Sequence, residues 1–255
     1  MGEVHSTALE GFTKGAAAYA RGRPGYPDTV IAWLRDTLDL RAGRTAVDLG
    51  AGTGKFTPLL RATGARIVAV EPVDAMRAEL ARRFPDVPVR SGTAQSLPLD
   101  GACADAVLCA QSFHWFASLE ALEEIHRVLR PGGRLGLVWN VRDESVGWVA
   151  ALTDIVRPYE HDAPRFNSGE WRRVFPNQLF CDPEETVFAH RHSGNPREVI
   201  LDRTLSVSFI AALPAPDKAD VERRILELME THPEIRGRGS IAFPYRTVAY
   251  ACLRK

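Results

Sequence analysis

The chain has 255 residues, 45% hydrophobic and 25% charged, the make-up of an ordinary globular protein with enough length to bury its own core. Lysine plus arginine number 32 and aspartate plus glutamate number 32, so no net field draws the molecule to nucleic acid or to an anionic membrane. No apolar stretch approaches the roughly 20 residues of a bilayer span. The opening Met1–Ser6 has neither the basic region nor the apolar run of a secretory signal, and Cys103, Cys109, Cys181 and Cys252 show no pairing pattern, which together point to a reducing cytoplasm.

Residues 5–27 read as a preface. Phe12, Ala16 and Tyr19 recur at helical spacing, and the run Arg21-Gly22-Arg23-Pro24-Gly25-Tyr26-Pro27 then breaks the helix. Asp28 is placed to cap a helix running to about Leu40, with Val30, Ile31, Leu34 and Leu38 on its apolar face.

A repeating alternation follows. Thr45–Leu49 is a short apolar run ending in glycines, the mark of a buried parallel strand. Phe56–Thr63 reads as helix closed by Gly64, Ala65–Glu71 as a second strand, and Asp74 as the cap of a helix through Phe84. Val87–Ser91 is a third strand and Asp105–Ala110 a fourth. A helix over Leu119–Leu129 leads through the turn Arg130-Pro131-Gly132-Gly133 into a fifth strand, Arg134–Asn140. Strand and helix alternating at this spacing predict an α/β doubly wound parallel sheet with helices on both faces.

Past Asn140 the pattern loosens. A helix near Trp148–Val156 precedes a stretch rich in proline, arginine and aromatics at 157–183. A strand at Thr186–His192, helices at about 197–212 and 217–231, and a last strand at Ala242–Leu253 complete the chain. No linker divides it, so a single domain is expected. Residues 1–40 form a helical preface over the binding site, 41–140 the binding core, and 141–255 an acceptor and lid region with the last strands.

The informative segment is Val47-Asp48-Leu49-Gly50-Ala51-Gly52-Thr53-Gly54-Lys55-Phe56. A glycine-rich turn from strand into helix lets a ligand approach the backbone and meet exposed N–H groups. The dinucleotide fingerprint would need a third glycine at 55, where Lys55 stands. Asp48 ends the strand two residues before the first glycine. A carboxylate there opposes a pyrophosphate and favours an ammonium, such as that on the amino acid end of S-adenosylmethionine. Glu71 closes the next strand 21 residues after Gly50, the place from which an acid holds the two hydroxyls of an adenosine ribose.

Asp48-Leu49-Gly50-Ala51-Gly52-Thr53-Gly54 resembles the first motif of class I S-adenosylmethionine-dependent methyltransferases, and Glu71 with Met76 resembles their second. Gly92–Leu99 is similar to the adenine loop, Asp105–Gln111 to the fourth strand, and Val128–Leu135 to the run into the fifth. Ser112-Phe113-His114-Trp115-Phe116 and the opening Tyr19 … Arg23-Pro24-Gly25-Tyr26-Pro27 resemble a small-molecule branch typified by trans-aconitate-methyltransferase-like proteins. Thr93 and Gln95 stand where many relatives carry acids.

The resemblance implies a Rossmann-like, mostly parallel seven-stranded sheet of order 3-2-1-4-5-7-6, with an antiparallel last strand inserted beside the fifth. It implies S-adenosylmethionine held by Tyr19, Arg23, Asp48, Gly50, Ala51, Gly52, Gly54, Glu71, Met76, Thr93, Ala94 and Gln111. It also implies a small-molecule acceptor, with carboxylates among the candidates, and neither a nucleic acid nor a membrane partner; the oligomeric state stays open.

Methyl transfer from a sulfonium is a one-step displacement that rests mainly on positioning. His114 is the one candidate base by position; the alternative is that it walls the pocket with Trp115 and Phe116. Arg23 and the arginines of 165–173 are candidates to hold a carboxylate, with the segment around Trp171 as a lid. His190 and His192 share a strand face without a ligand partner at metal spacing, so no metal is expected. Two rivals remain at this stage: a nicotinamide-dependent oxidoreductase on the same topology, and a non-catalytic protein binding an adenosyl ligand.

Overall fold

The computed structural model describes residues 24–160 and 164–255. Tyr19, Arg23 and the helix expected through Phe12 and Ala16 lie outside them.

Seven strands form one sheet in the order β3-β2-β1-β4-β5-β7-β6, as the resemblance implies. At its centre β1 (Thr45–Leu49) is buried at every position. It pairs in parallel with β2 (Arg66–Val70) on one side and β4 (Ala104–Ala110) on the other, so Asp48 faces Ala69 and Leu108. β3 (Val89–Arg90) extends the β2 edge, and β5 (Leu129–Arg142) lies parallel to β4. β7 (Ile241–Leu253) runs antiparallel between β5 and β6 (Glu184–Gly194).

Successive residues of a strand point to opposite faces, and each face has its own core. Val47, Leu49, Val107, Cys109, Leu135, Leu137 and Trp139 pack beneath α4 (Leu119–Val128), whose Leu122, Ile125 and Val128 form one buried stripe. Ser118 starts that helix by accepting from the Ala121 N–H at 3.2 Å. Ala46, Ala69, Ala106, Leu108 and Val138 face the other way, against α1 (Val30–Asp36) and α2 (Thr57–Thr63). The small residues let these helices come close: a Cβ added at Gly136 would sit 2.5 Å from Leu108 and 2.8 Å from Leu38. A third cluster joins α5 (Gly147–Val156) to the start of β7 and to α8 (Ala215–Thr231) through Trp148, Leu152, Val221, Ile225 and Phe243.

Several expected boundaries shift. α1 begins at Val30 without a side-chain cap and ends at Asp36. Asp39 then takes φ +56°, which ends the helix, while Leu38 and Leu40 remain buried. Asp74 is not the cap of α3 (Asp74–Arg83) but its first residue, where it pairs with Arg77. β3 shrinks to two residues. β5 starts at Leu129 because the chain expected to turn at 130–133 stays in the sheet, with a register shift opposite Ala104 and Ala106. The helix expected at 197–212 breaks into a π-helical turn at Arg197–Asp202, α6 (Arg203–Leu205) and α7 (Ser208–Ala211).

Candidate active site

A cleft opens at the carboxyl ends of β1, β2 and β4, where ligands of such sheets bind. After Leu49 the chain turns through Gly50 at φ +67° and Gly52 at φ +56°, conformations that side-chain-bearing residues rarely adopt. The two glycines are needed for different reasons. A Cβ at Gly50 would lie 2.6 Å from the Ser112 Cβ, whereas one at Gly52 would project into open space with only the Met76 sulfur near, at 3.8 Å. Gly52 is thus the point of close backbone approach. The loop is fastened to β2 by the Gly50 and Ala51 N–H groups, which donate to the Val70 carbonyl at 2.8 and 3.3 Å.

Glu71 is 4% exposed. Its Oε2 accepts from the Gly52 N–H and its Oε1 from the Val73 N–H, both at 2.9 Å. One carboxylate therefore pins the glycine loop to the β2–α3 connection, and each oxygen keeps lone-pair capacity for a ligand hydroxyl. Burial raises its pKa; the two backbone N–H groups and the Arg77 charge pull the other way. Arg77 also donates to the Glu71 and Pro72 carbonyls at 3.0 and 2.7 Å, fixing the same connection.

The cleft wall brings together Gly50, Ala51, Gly52, Glu71, Met76, Thr93, Ala94 and Gln111 of the expected set. Two others fall elsewhere. Gly54 faces α3, where a Cβ would meet Phe84 at 2.8 Å; it is a packing residue. Asp48 lies wholly buried behind the loop and off the wall, accepting from the Thr57 hydroxyl at 3.3 Å with its Oδ1 unpartnered. Burial first, and the Glu71 charge as well, push its pKa up to about 7 against the opposing Thr57 hydrogen bond. A direct ionic contact from Asp48 to a ligand ammonium does not follow from this placement.

Gln95, Ser112, Trp115, Phe116, Asn140 and Arg203 also line the cleft. Ser112 donates to the Leu49 carbonyl at 2.8 Å, holding the turn after β4 against the end of β1. Gln111 stands at φ +58°, a strained conformation for a residue with a Cβ. Its side-chain amide donates to the Asn140 carbonyl at 3.1 Å. Asn140 in turn donates to the Gly25 carbonyl at 2.8 Å and accepts from the Thr247 hydroxyl at 2.6 Å. Ser112, Trp115 and Phe116 belong to a phrase already conspicuous in the sequence. Asn140 and Arg203 stood in no motif.

A second pocket adjoins the first and shares Gln111, Trp115, Asn140 and Arg203 with it. Its remaining wall includes His114, Arg142, Thr153, Phe166, Phe209 and Tyr245. His114 is on this side and off the wall of the first cleft. Its Nδ1 accepts from the Trp139 Nε1–H at 3.0 Å, so the neutral ring carries its proton on Nε2. The segment 165–173 departs from expectation. Trp171 is 1% exposed and packs 4.7 Å from Trp139 in the core, centroid to centroid, so it is no lid. Arg172 stacks over Trp171 and Tyr250, Arg173 pairs with Glu170, and only Arg165 borders this pocket. Among the described residues no group of three or more His, Cys, Asp or Glu could hold a metal ion.

Residues 47–137 match the model of a methyltransferase domain. The chain is 38% identical over 246 residues to an uncharacterised methyltransferase-like protein of Schizosaccharomyces pombe, covering 95% of both chains. It is 39% identical over the same length to an uncharacterised methyltransferase of Mycobacterium tuberculosis, covering 95% of this chain and 94% of the relative. Among solved structures, the YcgJ protein from Bacillus subtilis superposes with a TM-score of 0.57 at 20% identity, over 90% of this chain and 99% of that one. A geranyl diphosphate methyltransferase in complex with S-adenosylmethionine superposes at 0.51 and 18% identity, over 89% and 85%. At these identities the superpositions carry the fold, and the full-length relatives carry the family. With its strand order, its glycine turn and these relatives in agreement, the chain belongs to the class I S-adenosylmethionine-dependent methyltransferases.

Proposed function

We propose that the enzyme methylates a small molecule lodged in the second pocket, by in-line displacement at the junction with the cofactor cleft. The observation that carries this is the shared wall: Gln111, Trp115, Asn140 and Arg203 border both cavities. The lining fits the cofactor, since Gly52 leaves open the space a Cβ would fill and Glu71 retains acceptor capacity. When bound, S-adenosylmethionine supplies a methyl group already activated by its sulfonium charge. In this reading Glu71 accepts from the ribose hydroxyls, while Met76, Thr93 and Ala94 border the adenine. The backbone of the Gly50–Gly52 turn, with Gln111, borders the amino acid end. Trp115 and Phe116 exclude water.

The remaining task is alignment, which supplies on the order of 7–11 kcal/mol when two reactants are held in line. A base is required only where the acceptor must lose a proton. His114 is poorly suited to that task through Nδ1, which the Trp139 indole already occupies; its Nε2–H is suited to donate. A small molecule is favoured over nucleic acid by the equal numbers of basic and acidic residues and by a pocket walled with aromatics. The four free cysteines suit a cytoplasmic setting. The test is a metabolite extract incubated with enzyme and a deuterated-methyl donor, with label traced by mass spectrometry. Label in one or a few small molecules is expected; label confined to DNA, RNA or protein would reject the proposal.

A further inference from the structure

The second pocket contains two guanidinium groups that the described residues leave without a hydrogen-bonded acid. Arg203 opens α6 directly after the π-helical turn, a distortion common at functional sites. It is 8% exposed, and its Nε and Nη1 are buried with no hydrogen-bond partner. Arg142 ends β5 and is half-buried. Burial and the neighbouring Arg203 charge pull it down to about 10, while Tyr245, Glu160 and Glu144 act on it only through their charges. Those two glutamates are engaged elsewhere, Glu160 with Arg165 and Glu144 with Arg157.

The same wall holds two more unsatisfied groups. The Tyr245 hydroxyl and the Thr153 Oγ1 are buried without partners. Tyr245 is the direct antiparallel partner of Arg142 across β5 and β7, so the sheet register itself brings hydroxyl and guanidinium together. Two like charges and two idle hydroxyls around one pocket are unfavourable unless an anion completes them. A carboxylate does so best, because its two planar oxygens match the guanidinium fork. The rest of the lining sets Val156, Phe166, Val207 and Phe209 beside Glu144 and Glu160, whose charges are taken up by Arg157 and Arg165, so the rest of such a molecule need not be charged.

We propose that Arg142 and Arg203, with the Tyr245 and Thr153 hydroxyls, bind a carboxylate of an otherwise apolar acceptor beside the methyl-transfer junction. The proposal rests on the methyltransferase reading of the adjoining cleft, and names the substrate class and the residues that select it. Because Arg203 borders both cavities, the carboxylate sits at the inner end of the pocket and the apolar body extends away from it.

The test uses the full chain loaded with S-adenosylhomocysteine and titrated with sodium benzoate, with benzamide as its uncharged isostere, and with inorganic phosphate. Thermal shift and calorimetry are read for the wild type, Arg142→Gln and Tyr245→Phe. Benzoate is expected to stabilise the wild type, with benzamide weaker by about tenfold or more, the range typical of losing a charge-assisted pair. Arg142→Gln should remove the benzoate response, leave S-adenosylhomocysteine affinity within about twofold, and be no less stable than wild type, because it relieves like-charge repulsion. Tyr245→Phe, which deletes only a hydroxyl, should weaken benzoate severalfold and serves if Arg142→Gln does not fold.

Equal responses to benzoate and benzamide, or no response to any anion, would overturn the proposal. So would phosphate binding more tightly than benzoate. A collapse of S-adenosylhomocysteine affinity in Arg142→Gln would assign the arginines to the cofactor's own carboxylate instead. If the wild type fails to bind S-adenosylhomocysteine at all, the cofactor reading of the cleft has failed, and the benzoate series on the unloaded protein still decides the cradle.

Discussion

Glu71→Gln separates two roles that one carboxylate combines. Each Glu71 oxygen accepts one backbone N–H, from Gly52 and from Val73, at 2.9 Å. A glutamine amide has a single acceptor oxygen, so its NH2 must face one of those donors. One charge-assisted hydrogen bond is lost, worth about 1.5–3 kcal/mol, and the N–H left buried adds a penalty of about 1–3 kcal/mol that partly overlaps it. Against this, burial raises the Glu71 pKa, so the neutral amide avoids part of the cost of burying a charge. The net expectation is a loss of roughly 2 kcal/mol in folding stability.

Urea unfolding without ligand reads this directly, because roughly 2 kcal/mol moves the midpoint by about 1 M at an ordinary m-value. Calorimetry on the folded variant reads the second role. Weakened acceptance from a ribose should cost S-adenosylhomocysteine about 1.5–3 kcal/mol, a tenfold to hundredfold change in Kd. An unchanged urea midpoint refutes the loop-fastening argument. Unchanged affinity in a destabilised variant refutes the ribose assignment and leaves Glu71 as a structural clamp alone.

The neighbouring glycines should divide in the same way. Gly50→Ala forces a Cβ to 2.6 Å from Ser112 and should cost upwards of about 2 kcal/mol of stability by shifting backbone; Gly52→Ala has room and should cost about 1 kcal/mol of strain while lowering S-adenosylhomocysteine affinity, and the reverse pattern in urea and calorimetry would show the loop inverted. Asp48 gives a pH signature. Its folded pKa of about 7 lies above the ordinary 3.8, so the folded state keeps a proton that the unfolded state has released. Stability from this group is therefore greatest below about pH 4, falls as pH rises to about 7 and is level above, by at most about 4 kcal/mol at 1.36 kcal/mol per unit. Asp48→Asn should remove that slope from chemical denaturation curves, and matching slopes in the two proteins would show that the buried carboxyl does not titrate in this window.

The cofactor side was legible in the sequence because its parts are local. A buried strand, a turn that needs positive φ, and an acid closing the next strand all reside in residues 45–71, where spacing along the chain is nearly spacing in the fold. What spacing could not show is which way a side chain at a strand end faces. Asp48 alternates with Val47 and Leu49 and so points into the helix-covered face behind the loop. Gly54 completes a glycine rhythm, yet it is required by Leu80 in α3 and by Phe84 just after it. Trp171 sits in a polar, proline-rich stretch that resembles a lid, but its 3₁₀ turn (Glu170–Val174) places the indole against Trp139. No local rule could have found that contact.

The pocket proposed for the acceptor was not legible because its residues meet only after β7 has entered the sheet. On β5, Trp139 and Val141 face the α4 core, while Asn140 and Arg142 alternate to the other side. Asn140 borders the cofactor cleft and Arg142 the adjoining pocket, so one strand end serves both cavities at a separation of two residues. The partners of these two residues across β7 are Thr247 and Tyr245. A one-residue slip of β7 would turn both side chains to the opposite face, removing the Tyr245 hydroxyl from the adjoining pocket while leaving Thr153 on α5, the glycine turn and Glu71 untouched. The glycine turn is thus built by the parallel half of the sheet, and the pocket proposed for the acceptor by the antiparallel register that sets Asn140 opposite Thr247 and Arg142 opposite Tyr245. On the proposed assignment, substitutions that alter what is methylated should fall on β5, β7 and the π-helical turn that presents Arg203, and spare the Gly50–Gly52 turn.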